Sequence, residues 1–192
     1  MSEWWTYRPS DFVMYSARSY QRLVERYNAE IWPLQLVALA IGLAVLWLAV
    51  FRPREGGRWM CGLLALLWAW IGWAFHWERF AEINTAAPWF ALAFFAQALL
   101  LVVFGVVRPG EYREPRPALR VAGLVLLAGA VVAWPVVQVA MGRPWGLVEV
   151  FGMMPGVTGV GTVGVLLTRD PARKNMLLMF LPVSVITGAS LA

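Results

Sequence analysis

Charge is scarce in this 192-residue chain. Asp, Glu, Lys and Arg make up 14% of it and hydrophobic residues 60%, whereas soluble domains carry about 25% and about 45–50%. So little polar side chain could not cover a fold in water, which excludes a soluble globular class. Cysteine occurs once, as Cys61, so an internal disulfide is ruled out and a packing role is left. Histidine also occurs once, as His76. One imidazole is too few for the axial pair that haem usually takes, or for the ligand cluster of a zinc site, so no metal and no cofactor is expected. Recognised catalytic motifs are missing too. A serine mechanism inside the membrane needs a serine beside a histidine, and Ser184 and Ser190 have only His76, on another apolar run. The net charge of +5 comes from 16 Lys and Arg placed at the ends and between apolar runs. No basic face is formed to hold phosphates, so nucleic acid is excluded as a partner.

Long apolar runs are what the chain does have. Residues 31–51, 59–77, 87–107, 121–141, 150–168 and 176–192 contain no Asp, Glu, Lys or Arg. At 1.5 Å rise per residue, a hydrocarbon core of about 30 Å needs about 20 apolar residues in a helix. The pattern predicts an all-α, polytopic transmembrane bundle of about six spans over residues 31–192, with the lipid bilayer as its solvent. Residues 1–30 form a separate N-terminal segment with no short apolar core ahead of a small-residue cleavage site, so the first span is expected to act as its own insertion signal. In that segment Pro9-Ser10-Asp11 offers a helix start, and Phe12, Ser16, Tyr20, Leu23 and Tyr27 share one helical face. An amphipathic helix lying in the membrane interface fits this spacing, as does a solvated, partly helical tail.

Positive charge sets the orientation. Arg52, Arg54 and Arg58, then Arg108, Arg113, Arg116 and Arg120, then Arg169, Arg173 and Lys174 fall in alternate connections, while the others hold only Arg79 and Arg143. The Arg-rich loops are expected in the cytoplasm and both termini outside. Trp32, Trp59, Trp77, Trp89 and Trp145 lie at predicted span ends, where indole rings settle at headgroup level.

Two spans stand out. In the second, Ala65, Ala69 and Gly72 make a small-residue stripe that ends on His76, which turns the histidine toward the bundle. A protein partner is then expected, with Glu30 the leading carboxylate and Asn28, Glu78, Asn84, Arg143 and Glu149 at the same outer level. The imidazole could anchor a helix end, serve a proton or solute site, or ligate a metal. In the fifth span, Gly152, Gly156, Gly159, Gly161 and Gly164 surround Pro155. Such a segment relies on its neighbours, either as a discontinuous helix lining a site or as a close-packing helix, with Gly156 and Gly159 as points of close approach. Met153 and Met154 could offer soft ligands to Cu(I) or simply pack.

Tyr27-Asn28 with Ile31-Trp32-Pro33, then His76 with Phe80, Ile83-Asn84 and Ala86-Ala87-Pro88, then Phe151-Gly152, Pro155, Thr158, Thr162 and Gly164 resemble bacterial membrane proteins grouped as domain of unknown function 6064. The resemblance runs over most of residues 27–168 and implies architecture without an assigned activity. Where the family pattern has Thr-Pro-Cys-Pro, this chain has Met154-Pro155-Gly156-Val157, so a thiol-dependent role does not carry over. The resemblance and the residue reading meet at the outer ends of spans one, two and five. A polar site is expected from Tyr27, Asn28, Glu30, Trp32, His76 and Asn84, and a broken-helix lining from Phe151, Gly152, Pro155, Gly156, Thr158 and Thr162.

Polar residues near the membrane centre are few: Gln97, Gln138, Thr158, Thr162, Ser184 and Thr187. The expected function is therefore an accessory, assembly or scaffold subunit of a bacterial inner-membrane complex, partnered by another membrane protein or by copies of itself. A small-solute or ion transporter is the alternative, with an intramembrane enzyme third.

Overall fold

A computed structural model describes residues 16–109 and 112–169. The first element, α1 (Ala17–Glu30), starts where the Ser16 side chain accepts a hydrogen bond from the Ser19 amide at 3.1 Å, satisfying one of the amides a helix start leaves unpaired. The earlier start at Pro9-Ser10-Asp11 lies outside the described residues. Tyr20, Leu23 and Tyr27 do share the inward face, joined by Val24 and Asn28, whereas Ser16 is exposed as the cap.

After a cis Trp32-Pro33 bond come α2 (Leu34–Phe51) and α3 (Gly57–Trp70), the latter continuing through a π-helical stretch, Ile71–Trp77. Next is α4 (Ala87–Leu100), which also ends in a π-helical stretch, Leu101–Val107. A third π-helical stretch, Gly129–Ala133, separates α5 (Pro117–Ala128) from α6 (Trp134–Ala140). Pro135 has no amide hydrogen and its ring would crowd a carbonyl one turn back; the wider turns ahead of it accommodate both defects.

Among the described residues, four stretches are long and apolar enough to cross a membrane: Leu34–Phe51, Gly57–Glu82, Ala87–Val107 and Pro117–Ala140. They correspond to the first four predicted spans. The fifth differs, because α7 (Pro155–Leu167) has 13 residues and rises about 20 Å. Pro155 opens this helix instead of interrupting it, and the irregular part is the segment before it, through residues 148–154. The predicted span 176–192 lies outside the described residues.

Packing follows residue size. The buried stripe of α2 is Ala38, Gly42, Val45 and Ala49, while Trp47, Phe51, Leu99, Val125 and Val136 face outward, as a lipid-facing wall requires. Helices α5 and α7 meet backbone to backbone: a Cβ on Gly164 would lie 2.7 Å from both the Gly123 carbonyl oxygen and the Leu127 nitrogen. Between the helices the core is aromatic, with Trp68 and Phe94 at 4.5 Å between ring centroids and Tyr27, Phe75 and Phe151 fully enclosed.

Candidate functional site

The C-terminal end of α1 is stitched to the irregular segment before α7. The Tyr27 hydroxyl donates to the Met153 carbonyl at 3.2 Å and accepts from Trp70 Nε1 at 3.2 Å. The Asn28 amide nitrogen donates to the Gly146 and Val148 carbonyls, at 2.8 and 3.2 Å, and the Asn28 carbonyl accepts from Gln35 Nε2 at 2.6 Å. Burial pushes the Tyr27 phenol up to about 12, against smaller downward pulls from the Trp70 hydrogen bond and the Arg79 charge. The phenol therefore stays protonated and can donate throughout the neutral range.

Above this layer lies a charge cluster. Arg79, only 19% exposed, places its guanidinium 5.1 Å from the Tyr27 ring centroid, binds Glu30 at 2.9 Å and donates to the Ala74 carbonyl at 2.6 Å. Arg26 grips both carboxylate oxygens of Glu82, at 2.9 and 3.1 Å, and reaches Glu30 at 3.0 Å. The hydrogen bond from Arg79 is the main reason the Glu30 carboxyl sits below its usual range, and the hydrogen bond to Glu82 holds Arg26 above its own.

His76 does face the bundle, at 2% exposed, but the expected pairing with Glu30 does not form. Both oxygens of Glu30 are already held by Arg26 and Arg79, and a guanidinium is a stronger partner for a carboxylate than a neutral imidazole. The imidazole packs instead among Phe94, Phe75, Phe80 and Phe90, with centroids 4.5 to 5.9 Å away. Among the described residues, neither ring nitrogen has a hydrogen-bond partner. Of the other polar candidates, Asn28, Asn84, Arg143 and Glu149 are engaged elsewhere, and Glu78 is exposed. The Asn84 side chain accepts from the Ala86 amide at 2.9 Å ahead of α4. Arg143 and Glu149 lie 3.4 Å apart, both bound to Gln138, whose Oε1 accepts from Arg143 and from the Glu149 amide.

In the segment expected to form a broken-helix lining, two threonines tie the backbone to itself and to α3. Thr158 Oγ1 accepts from the Gly152 amide and donates to the Met154 carbonyl, each at 2.7 Å. Thr162 Oγ1 donates to the Thr158 carbonyl at 2.7 Å and accepts from Trp68 Nε1 at 2.9 Å. Gly152 has φ 85°, a conformation that side chains rarely take, and a Cβ there would meet Leu67. Phe151 is wedged against Gly42 and Gly161. Close approaches fall at Gly152, Gly161 and Gly164, and Gly156 lines a groove with Glu149.

Trp32 is separate again. At 64% exposed, it stands with Trp145 beside an apolar groove of about 540 Å³ between the start of α2 and α6, with Asn28 and Gln35 among its walls. In the sequence Arg79 and Glu82 look like topology markers, as isolated charges near span ends do, and Gln35 is a single neutral amide inside an apolar run. Among the described residues, no group of three His, Cys, Asp or Glu side chains is placed to hold a metal ion.

One family model matches residues 17–192 of this chain. The chain belongs to DUF6064, a family of unknown function. No curated protein and no solved structure matches it. The match to DUF6064 runs from α1 through α7, so the stitched end of α1 and the aromatic surroundings of His76 both lie within it.

Proposed function

We propose that this DUF6064 chain is a multi-pass protein of the bacterial inner membrane, N-terminus outside, that acts as an accessory, assembly or scaffold subunit of a membrane complex. One observation carries the reading: the polar side chains expected at a solute site bind protein groups instead, Tyr27 and Asn28 tying α1 to the segment before α7, and Thr158 and Thr162 tying the start of α7 to its own backbone. A rigid outer end of this kind suits a docking platform better than a gate. Purification in mild detergent is expected to yield a stoichiometric complex with another membrane protein, or a defined homo-oligomer.

The competing reading is transport of an ion or small solute near the outer ends of spans one, two and five. It draws support from His76 and Gln97, both buried with polar atoms that have no partner among the described residues. A solitary chain that dissipates a pH gradient in proteoliposomes, and loses that activity in His76→Gln, would replace the scaffold reading with this one.

A further inference from the structure

We propose that the groove between α2 and α6 holds one acyl chain of a bilayer phospholipid whose head group donates a hydrogen bond to Gln35. The groove measures about 540 Å³, within the range of small-molecule sites at roughly 300–1,000 Å³. Its long walls are apolar, from Leu36 and Leu39 on α2 and Val136 and Val139 on α6. Leu36 and Val136 are 56% and 62% exposed, so the groove opens sideways on the surface that faces lipid. A tail can enter from the bilayer without crossing water.

The outer end of the groove is different in chemistry. Trp32 and Trp145 stand there, 64% and 79% exposed, in the position that indoles take at the level of lipid head groups. Beside them Gln35 has its amide orientation fixed, because Nε2 donates to the Asn28 carbonyl at 2.6 Å. Oε1 is then an acceptor, and it is buried without a partner among the described residues. A buried acceptor left unpaired is unfavourable unless a donor reaches it. An apolar trough that ends in indoles and one unpaired acceptor matches an amphiphile with an N–H or O–H donor on its head. Phosphatidylethanolamine meets that description, and phosphatidylcholine, whose quaternary ammonium has no N–H, does not.

The test uses the full-length chain in nanodiscs of equal phosphatidylethanolamine and phosphatidylcholine, followed by native mass spectrometry. The wild type is expected to retain one phosphatidylethanolamine, preferred about tenfold over phosphatidylcholine. Gln35→Leu should keep a lipid and lose the preference. The double variant Leu36→Trp/Val136→Trp fills the groove from exposed positions, and should cut retention about tenfold with an unchanged melting temperature. Val136→Trp alone serves if the double variant fails to fold. Equal retention of the two lipids by the wild type, an undiminished lipid in the tryptophan variants, a broad unsaturable spread showing annular lipid only, or displacement by an isoprenoid lipid would each overturn the proposal.

Discussion

Tyr27 is the side chain on which α1, α3 and the segment before α7 meet. Tyr27→Phe removes the donor to the Met153 carbonyl and leaves the Trp70 indole without its acceptor. Inside a buried site this should destabilise the fold by about 1–3 kcal/mol, read as a lower thermal midpoint in detergent. An unchanged midpoint would mean the hydroxyl contributes nothing net. Glu30 gives a pH signature. Its carboxyl is held low, first by the Arg79 hydrogen bond, so its contribution is present above the ordinary carboxylate pKa of about 4.3. That contribution is lost as pH falls through the lowered value. Glu30→Gln should therefore lower the midpoint relative to wild type at neutral pH, with a gap that closes on acidification; screening at this half-exposed pair keeps the gap small. Sequence made the inward turn of His76 legible, because small residues at helical spacing mark a packed face. It did not reveal the partner, since reach and competition between side chains decide that, and Arg79 wins Glu30.

Between α5 and α7, helix approach is limited by backbone. Gly164→Ala would drive its methyl group onto the Gly123 carbonyl and the Leu127 nitrogen, neither of which can rotate away. A loss of about 1–3 kcal/mol is expected, whereas Gly129→Ala, with nothing within 4 Å of the added carbon, should be tolerated. Comparing the two midpoints checks the seam, and equal midpoints would argue against it. That glycines pack the fifth span was legible from their density. Which neighbour each one meets was not, because Gly161 lies against Phe151 and Gly164 against the α5 backbone, and nothing in their spacing tells the two apart. The π-helical stretches were invisible for a related reason: each wide turn slips the 3.6-residue period, so a stripe read from Ala65 through His76 crosses a change of phase at Ile71.

For the whole molecule, the strongest expectation is topological. With Cys61 buried, a cysteine at Glu55 should escape membrane-impermeant thiol reagents in intact cells, while one at the exposed Gly146 should react. Labelling at Glu55 from outside would invert the assignment and move the stitched end of α1 to the cytoplasm. The first four spans were legible because lipid imposes length and excludes charge, two properties that a sequence displays directly. The fifth was misjudged at its start, since an apolar run shows where backbone is buried without showing whether it is helical. The glycine seam also has a mechanical meaning. Sliding α5 along α7 would push side chains into space that only hydrogen atoms occupy at Gly123 and Gly164, so the two helices form a single strut. Gly142, at φ 79° in the connection from α6 toward α7, lies inside the loop that this strut closes, so the connection is pinned at both ends by the seam.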